Sequence, residues 1–310
     1  MARAFIFPGQ GSQYIGMGKV LAETFSESRE VFEEIDESLS QNLSKMMFEG
    51  SESDLNLTEN TQPALMAVSM AVVRVLEKQG NIDLKSTCSF VAGHSLGEYS
   101  ALTAAGALSV SDCAKLLKLR GQSMQKAVPV GVGAMAAIIG PSFEEVQSIA
   151  DDAGCEVAND NSVGQVVISG HKESIDKAIE IAKERGAKRA LLLPVSAPFH
   201  CSLMQPAADV MAEALAEAVM NAPAVPVVSN VTADAIRDPE QIKSLLVDQI
   251  TGMVRWRESV IWMKDSGVSE MVELGAGKVL SGLVRRIDKE ISCESVEAPE
   301  QIEMLIEKLK

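Results

Sequence analysis

Gly93-His94-Ser95-Leu96-Gly97 sets a serine between two glycines, the G-x-S-x-G spacing of a nucleophile carried on a sharp turn. The chemistry such a turn serves is covalent acyl transfer, in which a serine hydroxyl attacks a carbonyl carbon. The glycines have a steric purpose, because the backbone passes so close on either side that a Cβ has no room. Cys88 to Ala92 reads as a strand, and a helical stretch follows the turn through Ala105. Strand, glycine turn and helix together predict that Ser95 stands clear of a sheet, with the backbone N–H of Leu96 at a helix N-terminus facing a developing oxyanion. The competing reading is a structural glycine turn in which Ser95 caps the helix.

A serine hydroxyl needs a general base, and the chain has only three histidines. His94 adjoins the nucleophile, and neighbours on a sharp turn point in different directions. His171 opens a helix, where a solvated side chain is the ordinary expectation. His200 lies in Ser196-Ala197-Pro198-Phe199-His200-Cys201-Ser202, a loop between two structural units where a ligand cleft forms, and it is the candidate base. No acidic residue presents itself as a third catalytic member. In α/β-hydrolases the histidine follows the acid near the end of the chain, whereas more than a third of this chain follows His200. That order disfavours an ordinary lipase or esterase.

The elements that must hold these groups follow from hydrophobic periodicity. Ala4 to Phe7 reads as a strand opening into Pro8-Gly9-Gln10-Gly11-Ser12-Gln13, well placed for function in an α/β protein. Pro63 to Gln79 reads as a buried helix with Pro63 in its first turn. From about Gly131 to Leu193 the order changes: strand 134–139, helix 142–153, strands 155–158 and 165–169, helix 173–185, strand 188–193. Ser142 with Glu145 forms a capping box, and Gly154 and Gly186 end the two helices. Beyond it, Leu203 to Met220 reads as a long helix, and Pro226 to Ser229, Glu270 to Leu274 and Ser292 to Val296 as short strands. The expected class is α/β: an α/β-hydrolase-like large domain over 1–130 and 195–310, interrupted by a ferredoxin-like (βαββαβ) subdomain over 131–194.

Composition excludes several classes. The 310 residues carry a formal net charge of -15, which disfavours nucleic acid and anionic membrane as partners. No stretch approaches a membrane span, and the short apolar start before Pro8 is not a signal peptide, so a cytoplasmic protein is expected. The five cysteines form no CxxC pair and no Cys/His cluster, as expected of reduced thiols without zinc. On its predicted helix, Arg120 shares an apolar face with Leu117 and Met124, so its head either snorkels outward or meets an anion inside.

Phe7 to Gln13, Gly93 to Glu98, Arg120-Gly121, Gly164-Gln165-Val166-Val167-Ile168-Ser169-Gly170 and Pro198-Phe199-His200 resemble, in order and over nearly the whole chain, the malonyl-CoA:acyl carrier protein transacylases of bacterial fatty acid synthesis. The acyltransferase domains of polyketide synthases carry the same motifs. The resemblance implies Ser95 as nucleophile, His200 as base, and backbone N–H groups of Gln10 and Leu96 as oxyanion hole. It implies Arg120 as ligand of the malonyl carboxylate, and a main-chain carbonyl at Gln249, in place of a carboxylate, as the group orienting His200. Asn159 and Asn161 resemble a polar cluster near the cleft, although Val163 stands where the family often has proline. The implied reaction is ping-pong through a malonyl-serine ester, with no metal or redox cofactor. Its substrates are malonyl-CoA and a phosphopantetheinylated acyl carrier protein, for which two basic clusters are candidate docking sites: Lys188-Arg189, and the favoured Lys278 with Arg285 and Arg286, where the family has a stretch of this kind. A standalone polyketide acyltransferase shares this chemistry, a serine thioesterase or hydrolase shares it up to the acyl-enzyme, and a non-enzymatic scaffold would share none.

Overall fold

The computed structural model describes residues 2–195 and 197–310; Met1 and Ser196, the first residue of the loop carrying His200, lie outside them. Two sheets organise the molecule. The larger contains β1 (Ala2–Phe7), β2 (Phe90–Gly93), β7 (Val227–Val228), β8 (Ala235–Ile236), β9 (Val268–Leu274) and β10 (Ser292–Val296), in the order β10-β9-β1-β2-β7-β8. All neighbours are parallel except β7 and β8. Central β1 shows why. Its side chains alternate, so Phe5 and Phe7 enter one apolar cluster with the Thr58–Lys78 helix, while Ala4 and Ile6 enter another with Trp256, Val260 and Met263. A strand buried on both faces reads as an unbroken apolar run, as β1 does.

The smaller sheet contains β3 (Gly133–Ile139), β4 (Glu156–Ser162), β5 (Gln165–His171) and β6 (Arg189–Leu192), antiparallel in the order β4-β5-β3-β6. Helices Phe143–Ala153 and Lys172–Glu184 connect them, giving the succession β-α-β-β-α-β. The capping box of Ser142 and Glu145 is formed, and Gly154 ends that helix at φ 76. One face of this sheet packs Ala136, Ile138 and Ile168 against Val146, Ile149, Ile175 and Ala178 in a separate core. From the other face, Met135 and Val167 join the core of the large sheet. The units are tied where β4 meets Val254: Asp160 N–H donates to the Val254 carbonyl at 3.0 Å, and Arg257 pairs with buried Asp160 at 2.8 Å.

Several boundaries differ from the pattern. The long helix begins at Thr58, so Pro63 lies inside it. Only the hydrogen bond that a residue 63 N–H would give to residue 59 is forfeited, and the wholly buried face compensates. β4 runs on to Ser162 because its end is paired with β5 and with Val254, contacts that local propensity does not register. The helix expected from Leu203 to Met220 is a 3-10 turn, Ser202–Met204, followed by a helix over Gln205–Glu217. β8 had no sequence signal; it is two residues long.

Candidate active site

β2 ends at Gly93, and the Gly97–Ala104 helix begins four residues later. A Cβ on Gly93 would lie 1.9 Å from the carbonyl carbon and oxygen of Gly97, and one on Gly97 would lie 2.3 Å from the Phe7 carbonyl oxygen. No other residue fits either position. Ser95 is held at φ 53, the left-handed region, at a cost of about 1–3 kcal/mol for a residue with a Cβ. Asn230 secures it: its Oδ1 accepts from the Ser95 N–H at 2.7 Å, and its Nδ2 donates to the Gly93 carbonyl at 2.7 Å.

The loop after β6 brings His200 to the serine, with Nε2 2.8 Å from Ser95 Oγ. Its Nδ1 lies 2.8 Å from the main-chain carbonyl of Gln249. A carbonyl only accepts, so Nδ1 carries the proton and the Nε2 lone pair faces the hydroxyl. Burial, assisted by the nearby Arg120 charge, pushes His200 down to about 3, keeping the ring neutral at physiological pH. Like Ser95, His200 is in the left-handed region, at φ 58.

Arg120 enters from the Val110–Lys126 helix, on the buried face shared with Leu117 and Met124. It does not snorkel: only 1 % of it is exposed. Nη1 donates to Gln62 Oε1 at 2.8 Å; Nη2 donates to Gln249 Oε1 at 2.8 Å and to Ser95 Oγ at 3.2 Å. The Tyr99 ring lies beneath it at 5.6 Å. Among the described residues Nε has no partner, and none of these contacts is a carboxylate. A buried cation satisfied only by neutral groups is a receptor for an anion.

These groups line a cavity of about 110 Å³. The large unit supplies Gln10, Gln62, His94, Ser95, Leu96, Arg120 and Met124; the smaller supplies Met135 and Asn159, and the segment joining them Leu193, Val195, Phe199 and His200. The cleft therefore lies between the two sheets. Gln10 and Leu96 both line it, and neither backbone N–H has an acceptor among the described residues. Asn161 is one step back, its Oδ1 2.7 Å from Nε2 of half-buried His94. Lys278, Arg285 and Arg286 are exposed and lie outside the cavity lining. Arg285 donates to the Cys293 carbonyl, and Arg286 reaches Gln165 on the smaller sheet.

Sequence reasoning missed three participants: Gln62, Asn230 and Glu98. Glu98 was visible as the last residue of the elbow motif, without a role. Among the described residues no cluster of three or more His, Cys, Asp or Glu could hold a metal ion, and no helix is long and apolar enough to cross a membrane. All five cysteines are free and buried.

A neutral histidine on a serine hydroxyl, beside free N–H groups and a buried unpaired cation, suits transfer of an acyl group that ends in an anion. Comparison with known proteins agrees. The acyl transferase domain model matches residues 4–298. The malonyl CoA-acyl carrier protein transacylase of Bacillus subtilis is 46% identical over 99% of this chain and 97% of its own length. The crystal structure of an acyl-carrier-protein-S-malonyltransferase from Bartonella henselae superposes with a TM-score of 0.98 at 54% identity, covering 100% of this chain and 99% of that one. A malonyl-transacylase solved in complex with its type II PKS acyl-carrier protein gives a TM-score of 0.96 at 41% identity over 99% of this chain and 100% of that one. Matched along its whole length, in sequence and in fold, the chain belongs to the malonyl-CoA–acyl carrier protein transacylase family of acyl transferases.

Proposed function

We propose that this enzyme transfers malonyl groups from malonyl-CoA to the phosphopantetheine thiol of acyl carrier protein, through an ester on Ser95. The observation that carries this reading is the juxtaposition, within one cleft, of Ser95 Oγ, His200 Nε2 and the Arg120 guanidinium. His200 Nε2 takes the hydroxyl proton as Oγ attacks the thioester carbon. The oxyanion is received by the N–H groups of Gln10 and Leu96, the second at the start of the Gly97–Ala104 helix. The C–S bond then breaks, and the imidazolium returns its proton to the leaving thiolate of coenzyme A. The carrier-protein thiol repeats the sequence in reverse. No step calls for a metal or redox cofactor.

The finer architecture belongs to the same reading. We read residues 1–130 and 195–310 as an α/β-hydrolase-like domain and 131–194 as a ferredoxin-like insert, which the strand order β4-β5-β3-β6 and the separate core of the insert support. A cytoplasmic place suits the reaction. Fatty acid synthesis is the pathway proposed; the similarity to a transacylase of a polyketide carrier protein keeps that pathway as the second reading. Intact-mass measurement after incubation with malonyl-CoA tests the core claim. Gain of one malonyl group, discharged on adding holo acyl carrier protein, is expected; release of free malonate instead would identify a hydrolase.

Arg120 sets the acyl preference in this scheme. A guanidinium holds a carboxylate through two parallel hydrogen bonds, each charge-assisted. Arg120→Ala should therefore lower kcat/KM for malonyl-CoA by about 10²–10³-fold, the loss of a buried charged pair of about 3–4 kcal/mol. Acetyl transfer should persist or rise. Equal loss with both donors would give Arg120 a structural role only.

Lys278, Arg285 and Arg286 are proposed to receive the acidic carrier protein, against the repulsion expected from a net charge of -15. Arg285→Glu with Arg286→Glu should raise the apparent KM for carrier protein while barely changing acylation by malonyl-CoA. The wild-type rate should also fall with salt, since exposed charges are screened beyond ~8–10 Å. Equal slowing of both half-reactions would count against docking, because Arg285 and Arg286 also tie their helix to β10 and to Gln165.

A further inference from the structure

Glu98 is buried, with 1 % exposed, in the first turn of a helix whose every residue is buried. An ionisable group in such a place is costly unless its hydrogen bonds are needed. Its Oε2 accepts from Gln249 Nε2 at 2.8 Å and from the Asn230 backbone N–H at 3.0 Å; its Oε1 has no partner among the described residues. Each of those two donors belongs to a residue that touches the reacting groups. Gln249 offers its main-chain carbonyl to His200 and its Oε1 to Arg120. The Asn230 side chain holds the Ser95 N–H.

We infer that Glu98 is a positioning residue for acyl selection, one whose carboxylate fixes the Gln249 amide with Oε1, and not Nε2, toward Arg120. A primary amide has two near-equivalent orientations, and shape alone does not choose between them. Acceptors on the Nε2 side decide it here. Nε2 lies between Glu98 Oε2 and the Ser95 carbonyl, which is 3.1 Å away. The reverse orientation would set Nε2 against the guanidinium, donor to donor, and Oε1 against the Glu98 carboxylate, acceptor to acceptor. Without the carboxylate that second repulsion disappears. Only the Ser95 carbonyl, the more distant Asn230 Oδ1 and the guanidinium itself then hold the amide, and the contact that aims Arg120 Nη2 beside Ser95 is weakened. Burial lifts Glu98 to about 7, opposed by its bonds to Asn230 and Gln249 and by the Arg120 charge. A proton taken up at that pH would settle on the unpartnered Oε1, leaving both bonds to Oε2 intact. The device therefore depends on an acceptor oxygen rather than on charge.

This inference rests on Arg120 receiving the malonyl carboxylate, so Arg120→Ala belongs in the same experiment. The quantity to measure is kcat/KM for acylation by malonyl-CoA divided by that for acetyl-CoA. Glu98→Met, similar in length but without an acceptor, should lower this ratio by about 10–100-fold, the loss of a positioned hydrogen bond to a charged group. Glu98→Gln retains an oxygen at the Oε2 position and should restore the ratio to near wild type. Equal loss with both donors in Glu98→Met, or a Glu98→Gln variant as poor as Glu98→Met, overturns the inference. Should Glu98→Met not fold, Gln249→Leu decides. It removes the relay but keeps the carbonyl that holds His200, and an unchanged ratio there is equally fatal. If Arg120→Ala itself shows no preference for loss of malonyl, the underlying reading of the site has failed; if it does while the Glu98 variants do not, only this inference has.

Discussion

Ser95→Ala should end formation of a covalent malonyl-enzyme and lower the overall transfer rate by about 10⁶-fold, as removal of a serine nucleophile does where acid–base and oxyanion groups remain. Among the described residues, nothing nearby substitutes for the hydroxyl. Cys201 adjoins His200 in sequence, but its buried thiol is directed at the Pro198 carbonyl 3.1 Å away, and burial raises it above its ordinary range. The variant should fold, since the Ser95 N–H keeps its bond to Asn230. Comparison with Ser95→Gly adds an independent check on the elbow. Both are inactive, but glycine adopts φ 53 without penalty, so its thermal midpoint should exceed that of the alanine variant by the equivalent of about 1 kcal/mol. Intact mass after incubation with malonyl-CoA reads the first effect, and a melting curve the second. A malonylated Ser95→Ala protein would remove Ser95 from the mechanism.

The parts of this site that were legible in sequence are those in which the backbone imposes a local rule. Gly93 and Gly97 had to be glycine because two chain segments occupy the space of their Cβ atoms, and that demand recurs at fixed spacing around Ser95. The capping box at Ser142 and Glu145 is local in the same way. His200 was reachable only because histidines are few. What no local rule reveals is the set of groups that hold these in place. Gln249 acts on His200 through a main-chain carbonyl, a group every residue possesses, so its type carries no signal without a family resemblance. Asn230 reaches the elbow from the loop after β7 across 135 positions of sequence, and Glu98 meets Gln249 across 151. Amide and carboxylate contacts at such separations obey no periodicity. They exist only once the large sheet has placed the ends of β2 and β7 side by side. The same limit explains β4, whose extension to Ser162 depends on Val254.

His200→Ala carries the second largest expected effect. Ser95 Oγ would keep the Arg120 contact at 3.2 Å but lose the base proposed for it, and loss of a general acid–base group slows reaction by about 10²–10⁴-fold. Both half-reactions should suffer, because in the proposed scheme the imidazole serves the attack of Ser95 and, later, the attack of the carrier-protein thiol. That distinguishes it from Arg120→Ala, whose effect depends on the donor. The pH profile supplies a sharper signature. A histidine displaced from 6.5 to about 3 by burial and by the Arg120 charge remains an unprotonated base far below neutrality. Acylation by malonyl-CoA in the wild type should therefore show no acidic limb near 6.5, and activity should hold down to about pH 5 if the fold does. Stability moves the other way. The unfolded chain binds a proton on this ring below about 6.5 while the native state does not, so this group destabilises the fold progressively as pH falls from 6.5 toward 3. Rapid-quench acylation rates and melting curves collected across that range separate the two effects. A rate that falls with a midpoint near 6.5 while the melting curve is unchanged would mean that His200 titrates as an exposed ring does, and full activity in His200→Ala would remove it as the base.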